Sequence, residues 1–347
     1  MTEPLIDWLN AQQENMLSLL ADLVNIDSNS FDKVGVDKVA DRLQAFFDDH
    51  AIPHETIPLT DHGDALRAVV SGGDGNRPIL LCGHRDTVFA TGEVEKRPFS
   101  TRDGKAFGPG VADMKPGLVI NAFILAAFHK FGGHPNPLVG LFTGDEEVGS
   151  PSSKDVIIAE AEKARLAFNS EPSRPSGNIV TKRKGGIFCH CAITGVAAHS
   201  GGFFTDGRSA IEELAHKIQA LHALTDLDKG TTINVGLVSG GQSVNTIAAE
   251  ASCAIDIRYQ QTADRDDILA QVRAICEKVS VEGTSSSFSI RGEFQPLNPS
   301  AQSDELFALY QESAAQDDVI IEGEHSGGCA DSGFIAAVGT PVICGVG

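Results

Sequence analysis

Four short segments of this sequence place histidine or carboxylate side chains in or just beyond apolar runs or constrained loops, where such groups can bind cations, accept protons or orient one another. His84 and Asp86 follow the run 78–82 (PILLC). Neutral imidazole is the commonest transition-metal ligand, and a nearby carboxylate fixes its tautomer and raises its basicity. Asp113 lies in the stretch 108–117 (GPGVADMKPG), whose glycines and prolines constrain the backbone on both sides. A carboxylate held that rigidly can bridge two cations with its two oxygens. Asp145, Glu146 and Glu147 follow the run 138–142 (LVGLF). Three consecutive acids repel one another if packed dry, so they are either solvated or held by cations. Adjacent residues of an extended chain point opposite ways, so one glutamate can ligate a metal while the other faces the substrate as general base. Glu171 follows the run 166–168, and Pro172 forces it into an extended backbone that aims its side chain.

Each segment alone also has an ordinary reading. His84 could be a turn histidine beside a solvated acid, and Asp113 could cap the helix that begins near Pro116. The acid triplet could be a loop of an acidic protein, and Glu171 a strand-end turn. Together, one histidine and several carboxylates at strand ends have the composition for two hard-to-borderline cations about 3.5–4 Å apart.

The elements that must position them follow from hydrophobic spacing. Residues 4–24 read as one amphipathic helix and 36–50 as a second; 116–131 is a third, with proline at its start where the missing N–H is harmless. The runs 78–82, 138–142, 166–168 and 341–344 (PVIC) read as buried strands between helices, which implies an α/β fold with a mostly parallel sheet covered by helices. Ligands bind beyond the carboxyl ends of such strands. The middle of the chain differs: strand 186–194, helix 207–227, strands 232–238 and 247–258, helix 264–279 and strand 286–291 give the order βαββαβ of a ferredoxin-like domain. We therefore expect a discontinuous catalytic domain, 1–181 and 293–347, with an inserted domain at 182–292.

Bulk properties narrow the function. The 347 residues suit two domains, and 41% hydrophobic with 21% charged residues is an ordinary globular balance. No apolar run approaches the roughly 18–20 residues needed to span a bilayer. The start of the chain lacks a basic and then apolar leader, so the expected location is the cytoplasm, without membrane attachment. Seven scattered cysteines, an odd number, read as free thiols. A net charge of −20 argues against a nucleic-acid partner.

With these segments in view the chain resembles the M20 family of metallopeptidases, which includes glutamate carboxypeptidases, acetylornithine and succinyl-diaminopimelate deacylases, and aminoacylases. The likeness spans nearly the whole chain: H-x-D at His84, G-x-x-D-M-K at Asp113, D-E-E at Asp145, S-E-P at Glu171, G-x-x-x-H-S-G at His199 and S-G-G-x-x-D at Asp331. It implies a hydrolase that cleaves an amide to release a C-terminal amino acid, or else an N-acyl-amino-acid deacylase or aminoacylase. A binding module with an incomplete site is the non-enzyme alternative.

The resemblance also implies two divalent cations, Zn²⁺ first and Co²⁺ or Mn²⁺ as substitutes. Asp113 would be shared by both, with His84 and Glu171 holding one and Glu147 the other. Glu146 would deprotonate the attacking water and later protonate the leaving nitrogen, and Asp86 would support His84. His199 would stabilise the developing oxyanion, often in a partner subunit's site, while Arg258 and Asn245 would grip substrate carboxylate and carbonyl groups. A homodimer through the inserted lid domain follows, as does a cis peptide at Asp113–Met114. The family's remaining metal-binding histidine comes a few residues beyond the strand at 341–344 and, with a closing helix, is expected past Gly347; His325 is a remote substitute. Ala330 stands where the family usually has Ser or Thr, leaving Asp331 to orient neighbouring loops.

Overall fold

In the computed structural model, which describes residues 2–73 and 75–347, the single helix expected over 4–24 is two. α1 (Thr2–Asn10) and α2 (Gln13–Val24) meet at Gln12, whose amide bonds the Leu9 carbonyl at 3.0 Å, three residues back, and tightens the chain out of the α pattern. α3 (Lys33–Asp49) begins where the Asp32 carboxylate accepts from Gly35 N at 3.1 Å, and it buries Val36, Val39, Leu43 and Phe47 along one face. An antiparallel pair follows, β1 (His54–Ile57) and β2 (Ala65–Val70), and then β3 (Ile79–His84), whose last residue is the candidate ligand. A short helix α4 (Glu93–Lys96) and a hairpin of β4 (Ser100–Arg102) and β5 (Lys105–Phe107) lead to α5 (Lys115–Lys130). Next come β6 (Leu138–Thr143), α6 (Lys154–Lys163), β7 (Leu166–Asn169) and β8 (Ile179–Arg183).

The middle segment supplies β9 (Gly185–Thr194), α7 (Ala210–His222), β10 (Thr232–Gly240), β11 (Glu250–Tyr259), α8 (Arg265–Glu277) and β12 (Ser285–Phe294). The chain ends through α9 (Ala301–Ala315), β13 (Gly323–Ser326), α10 (Ser332–Ala337) and β14 (Val342–Cys344). Two compact units result. The first runs to Arg183 and resumes at Leu297–Ser326 and Ala330–Gly347; the second is Lys184–Pro296 with Gly327–Cys329.

The first unit is built on an eight-stranded sheet in the order β1-β2-β6-β3-β7-β14-β8-β13. Its centre, β6-β3-β7-β14, is parallel, and β13 runs parallel to β8. β1, β2 and the β14–β8 contact are antiparallel, so the sheet is mostly rather than wholly parallel. β6 is buried at every position, as a central strand covered on both faces must be. Leu23, Leu43, Phe47, Leu118, Phe123 and Phe142 fill the layer formed by α2, α3, α5 and the sheet. In register, His84 lies opposite Thr143 and Cys82 opposite Asn169, so the ends of β3, β6 and β7 come level at one edge.

The second unit is an antiparallel sheet, β10-β11-β9-β12, with α7 and α8 supplying the other half of its core. Ile187, Cys189, Cys191 and Ile193 alternate inward along β9 and meet Leu214, Leu221, Val272 and Cys276 of the helices. This is the βαββαβ arrangement read from the sequence. All seven cysteines are free, six buried and Cys329 partly exposed. Among the described residues no helix is long and apolar enough to cross a membrane.

Arg85 locks this sheet edge to the layer above it. Its side chain is sealed from solvent and donates to the carbonyls of Val36 (2.9 Å), Thr143 (3.2 Å) and Asp64. Burial pulls its pKa down to about 10, against Asp37, Asp86 and Asp64, which still leaves it charged near neutrality. Arg85→Leu would remove three charge-assisted hydrogen bonds to backbone carbonyls and a buried positive charge among acids. It should lower stability by about 3 kcal/mol in urea unfolding; an unshifted unfolding midpoint would contradict this role.

Candidate metal centre

The carboxyl ends of β3, β6 and β7 bring His84, Glu146, Glu147 and Glu171 together with Asp113, which the constrained loop before α5 supplies. His84 Nε2 stands 3.2 Å from Asp113 Oδ1, 3.6 Å from Glu171 Oε1 and 3.7 Å from Glu146 Oε2. Their donor atoms form two overlapping groups, His84–Glu146–Glu171 and His84–Asp113–Glu147, each within 4.8 Å. Donors about 2.0–2.2 Å from a shared ion lie roughly 3–4 Å from one another, a range into which the three separations from His84 Nε2 fall. Glu171 Oε1 is buried and has no hydrogen-bond donor, an orphan that a cation would satisfy. Asp113 does not cap α5: the cap position is Met114, without a side-chain bond, and the Asp113 side chain turns to His84 and remains 55% exposed. The Asp113–Met114 peptide is cis, as the resemblance implies.

The electrostatics of the cluster fit added positive charge. Burial opposes a charged His84, but Glu146, Asp113 and Asp86 outweigh it and hold the imidazole pKa well up. Burial and then Glu171 push the Glu146 carboxyl up; burial above all lifts Glu147 to about 7. Buried acids this close repel one another, and the ordinary remedy is a cation. Arg183, at the end of β8, supplies part of it: the side chain is buried and donates from Nε to Cys344 Sγ at 3.2 Å.

Asp86 does more than orient the histidine. Its Oδ1 lies 3.3 Å from His84 Nδ1, and its carboxylate accepts from Ser30 Oγ (2.7 Å) and from the backbone amides of Glu146 and Glu147 (3.1 Å each). Those amides are free to be captured because Glu146–Val148 is a 3₁₀ turn. The extended backbone expected there is thus corrected, and the two glutamates diverge through helical rather than pleated geometry. Asp145 turns away from the cluster and closes its own loop, accepting from Ser152 N (2.6 Å), Ser153 N (3.1 Å) and Ser153 Oγ. Asp331 accepts from Ser150 Oγ and from Thr143 Oγ1 (3.4 Å), tying the start of α10 to the same loop.

Three further contributors carry weaker signals in the sequence. Lys115 is buried and donates to the carbonyls of Leu23 and Ile26 at 2.9 Å, anchoring the Asp113 loop to the end of α2. Ser170 Oγ donates to Asn121 Oδ1 at 2.7 Å, fixing the turn that presents Glu171. Ser30 sits 56 residues from the aspartate it binds, so no local pattern announces it.

The remaining candidates belong to the second unit. His199 is exposed, and its Nδ1 accepts from the amides of Gly201 and Gly202 at 3.2 Å, which leaves the proton on Nε2 facing outward. The Asn245 carbonyl accepts from Ser200 N at 3.0 Å, and His199 bridges Thr246, so these two candidates share one loop pair. Arg258 is elsewhere: near the far end of β11, it pairs with Asp256 at 2.9 Å and lies over the Phe188 ring. The run of strand from Glu250 to Arg258 spans roughly 25 Å at about 3.3 Å per residue, so one copy of this unit does not bring Asn245 and Arg258 together. His325 is exposed in β13 and joins neither donor group.

Comparisons with known proteins bear on the fold and the family. A family model described as a peptidase dimerisation domain matches residues 181–284. Carboxypeptidase G2 of Pseudomonas sp. (strain RS-16) is 28% identical, over 97% of this chain and 82% of its own length. A succinyl-diaminopimelate desuccinylase of Burkholderia ambifaria is 30% identical, over 84% of this chain and 82% of its own. Among solved structures, an M20 family metallo-carboxypeptidase from Sulfolobus solfataricus superposes with a TM-score of 0.79 at 16% identity, covering 95% of this chain and 90% of that one.

Gly117, in the first turn of α5, sets how closely that helix approaches the Glu171 turn. A Cβ there would stand 2.0 Å from the Ser170 carbonyl oxygen and 2.8 Å from the Met114 methyl. Gly117→Ala should push the turn outward and weaken divalent-cation binding about 10–100-fold in competition with a chromophoric chelator, as loss of outer support does. Wild-type affinity in the variant would show that the contact does not position Glu171.

Proposed function

From the premise that this chain belongs to the M20 family of metallohydrolases, we propose that it hydrolyses the amide bond preceding a C-terminal amino acid, with two zinc ions bound at the centre described above. The observation that carries the reading is the buried, hydrogen-bond-free Glu171 oxygen 3.6 Å from His84 Nε2, among crowded acids that bound cations would neutralise together. Two divalent cations, when bound, polarise the amide carbonyl and make water acidic enough to attack near neutral pH. In this reading Asp113 would be shared between them, His84 and Glu171 would hold one, and Glu147 would hold the other.

The chain's own groups then do the following. Asp86 keeps His84 in one tautomer and pins the Glu146–Glu147 turn. Glu146 takes a proton from the water that adds to the carbonyl carbon, and returns it to the nitrogen as the C–N bond breaks, ending as a carboxylate again. His199, donating from Nε2, stabilises the oxyanion, while Arg258 and Asn245 hold the carboxylate and carbonyl of the substrate. Because one copy of the second unit separates Asn245 from Arg258, the set is completed by a second copy, which supports a homodimer through the lid domain. Free buried thiols support a cytoplasmic location.

A second reading, release of an N-acetyl or N-succinyl group from an amino acid, uses the same residues; the desuccinylase relative supports it. Chelation should abolish turnover of N-acyl-amino-acid or dipeptide substrates, and Zn²⁺ or Co²⁺ should restore it; activity that survives complete metal removal would end the reading. Glu146→Gln should retain metal while slowing turnover at least about 100-fold, the lower range for a general base. Glu147→Gln should instead lose metal. If Glu146→Gln is the variant that loses an ion, the two glutamates exchange roles.

A further inference from the structure

Beside the metal centre, two loops of the first unit hold apolar side chains in solvent that the chemistry above does not use. Phe31 is 79% exposed and Val88 64%, and Val34, in the first turn of α3, is 65% exposed. The loops are stitched rather than loose. Thr87 N donates to the Ser28 carbonyl at 2.8 Å, Asn29 Nδ2 to the Phe89 carbonyl at 3.0 Å, and Phe31 N to Asn29 Oδ1 at 3.1 Å. Phe31 directly follows Ser30, and Val88 lies two residues beyond Asp86, the pair whose 2.7 Å bond steadies the centre. The Phe31 ring stands 6.3 Å from that of His62, whose Nδ1 contacts Ser152 Oγ at 2.8 Å in the loop after Glu147.

An exposed phenyl ring on loose backbone can fold onto its own chain; one fixed by cross-loop bonds stays wet until something covers it. Loops 27–32 and 86–92 contain no Lys or Arg, and the adjoining Lys33 is engaged by Asp37, Asp64 and the His62 carbonyl. A carboxylate-bearing end of a substrate therefore gains nothing on this strip, whereas an apolar group does. We infer that Phe31, Val34 and Val88 form an apolar subsite for the acyl side of the scissile amide, selecting aromatic or branched acyl groups over acetyl. The inference rests on the amide-hydrolysis reading.

The test separates the two claims. N-benzoyl-L-glutamate and N-acetyl-L-glutamate are titrated calorimetrically into zinc-loaded Glu146→Gln protein, with and without Phe31→Ala. The benzoyl compound should bind about tenfold more tightly, the scale of an added aromatic contact, and Phe31→Ala should bring the ratio close to one. Ile320→Ala, an equally apolar and exposed change elsewhere, should preserve the ratio. Equal affinities, no binding of either compound, or a preference that survives Phe31→Ala overturns the subsite. Turnover by the wild-type enzyme is measured alongside. A Phe31-dependent preference without hydrolysis of either compound sinks the hydrolytic reading and leaves the subsite standing; hydrolysis of both at equal kcat/KM, with or without Phe31, does the reverse.

Discussion

Four carboxylates crowd one buried histidine at an edge where three parallel strands end, and their mutual repulsion is the constraint that the surrounding structure answers. His84, Glu146 and Glu171 are all buried, with Asp113 and Glu147 completing the cluster at its open side. Left to Coulomb forces, such groups would swing into water or take up protons. They stay converged because the backbone beneath each is fixed by something outside the cluster, so the fold holds an arrangement that bound cations would stabilise.

The fixing groups are themselves charged, and that gives the site its economy. The Asp86 carboxylate reaches the His84 ring and the amides of Glu146 and Glu147 together, so one side chain orients candidate ligands from two strands. Asp145 and Asp331 close the loop beyond, and Lys115 and Arg85 anchor the neighbouring segments through backbone carbonyls. None of these five needs to touch a substrate. Their work is to remove the freedom by which a metal site loosens.

The five residues that converge at the candidate metal centre were legible because each followed a buried strand or sat in a loop bracketed by glycine and proline, whereas His199, Asn245 and Arg258 came only from the family resemblance. The βαββαβ order was legible because its strands alternate and its helices carry one apolar face. What could not be read locally is what distant groups impose. The turn at Glu146 is helical because the Asp86 carboxylate, 60 residues away, collects its amides, and Arg85 looks like a surface residue until α3 packs over it. The helix break at Gln12 has neither glycine nor proline to mark it. Edge strands such as β1 (HETI) and β13 (GEHS) are short and polar on exposed faces, so hydrophobic spacing passes over them.

The most direct test is the metal stoichiometry of freshly purified protein, by elemental analysis after equilibration with a trace-metal buffer. Two ions per chain are expected, falling when Asp113 is changed to Ala. A preparation that holds no ion and takes up none when zinc is supplied would leave the converging acids without a purpose and contradict the account.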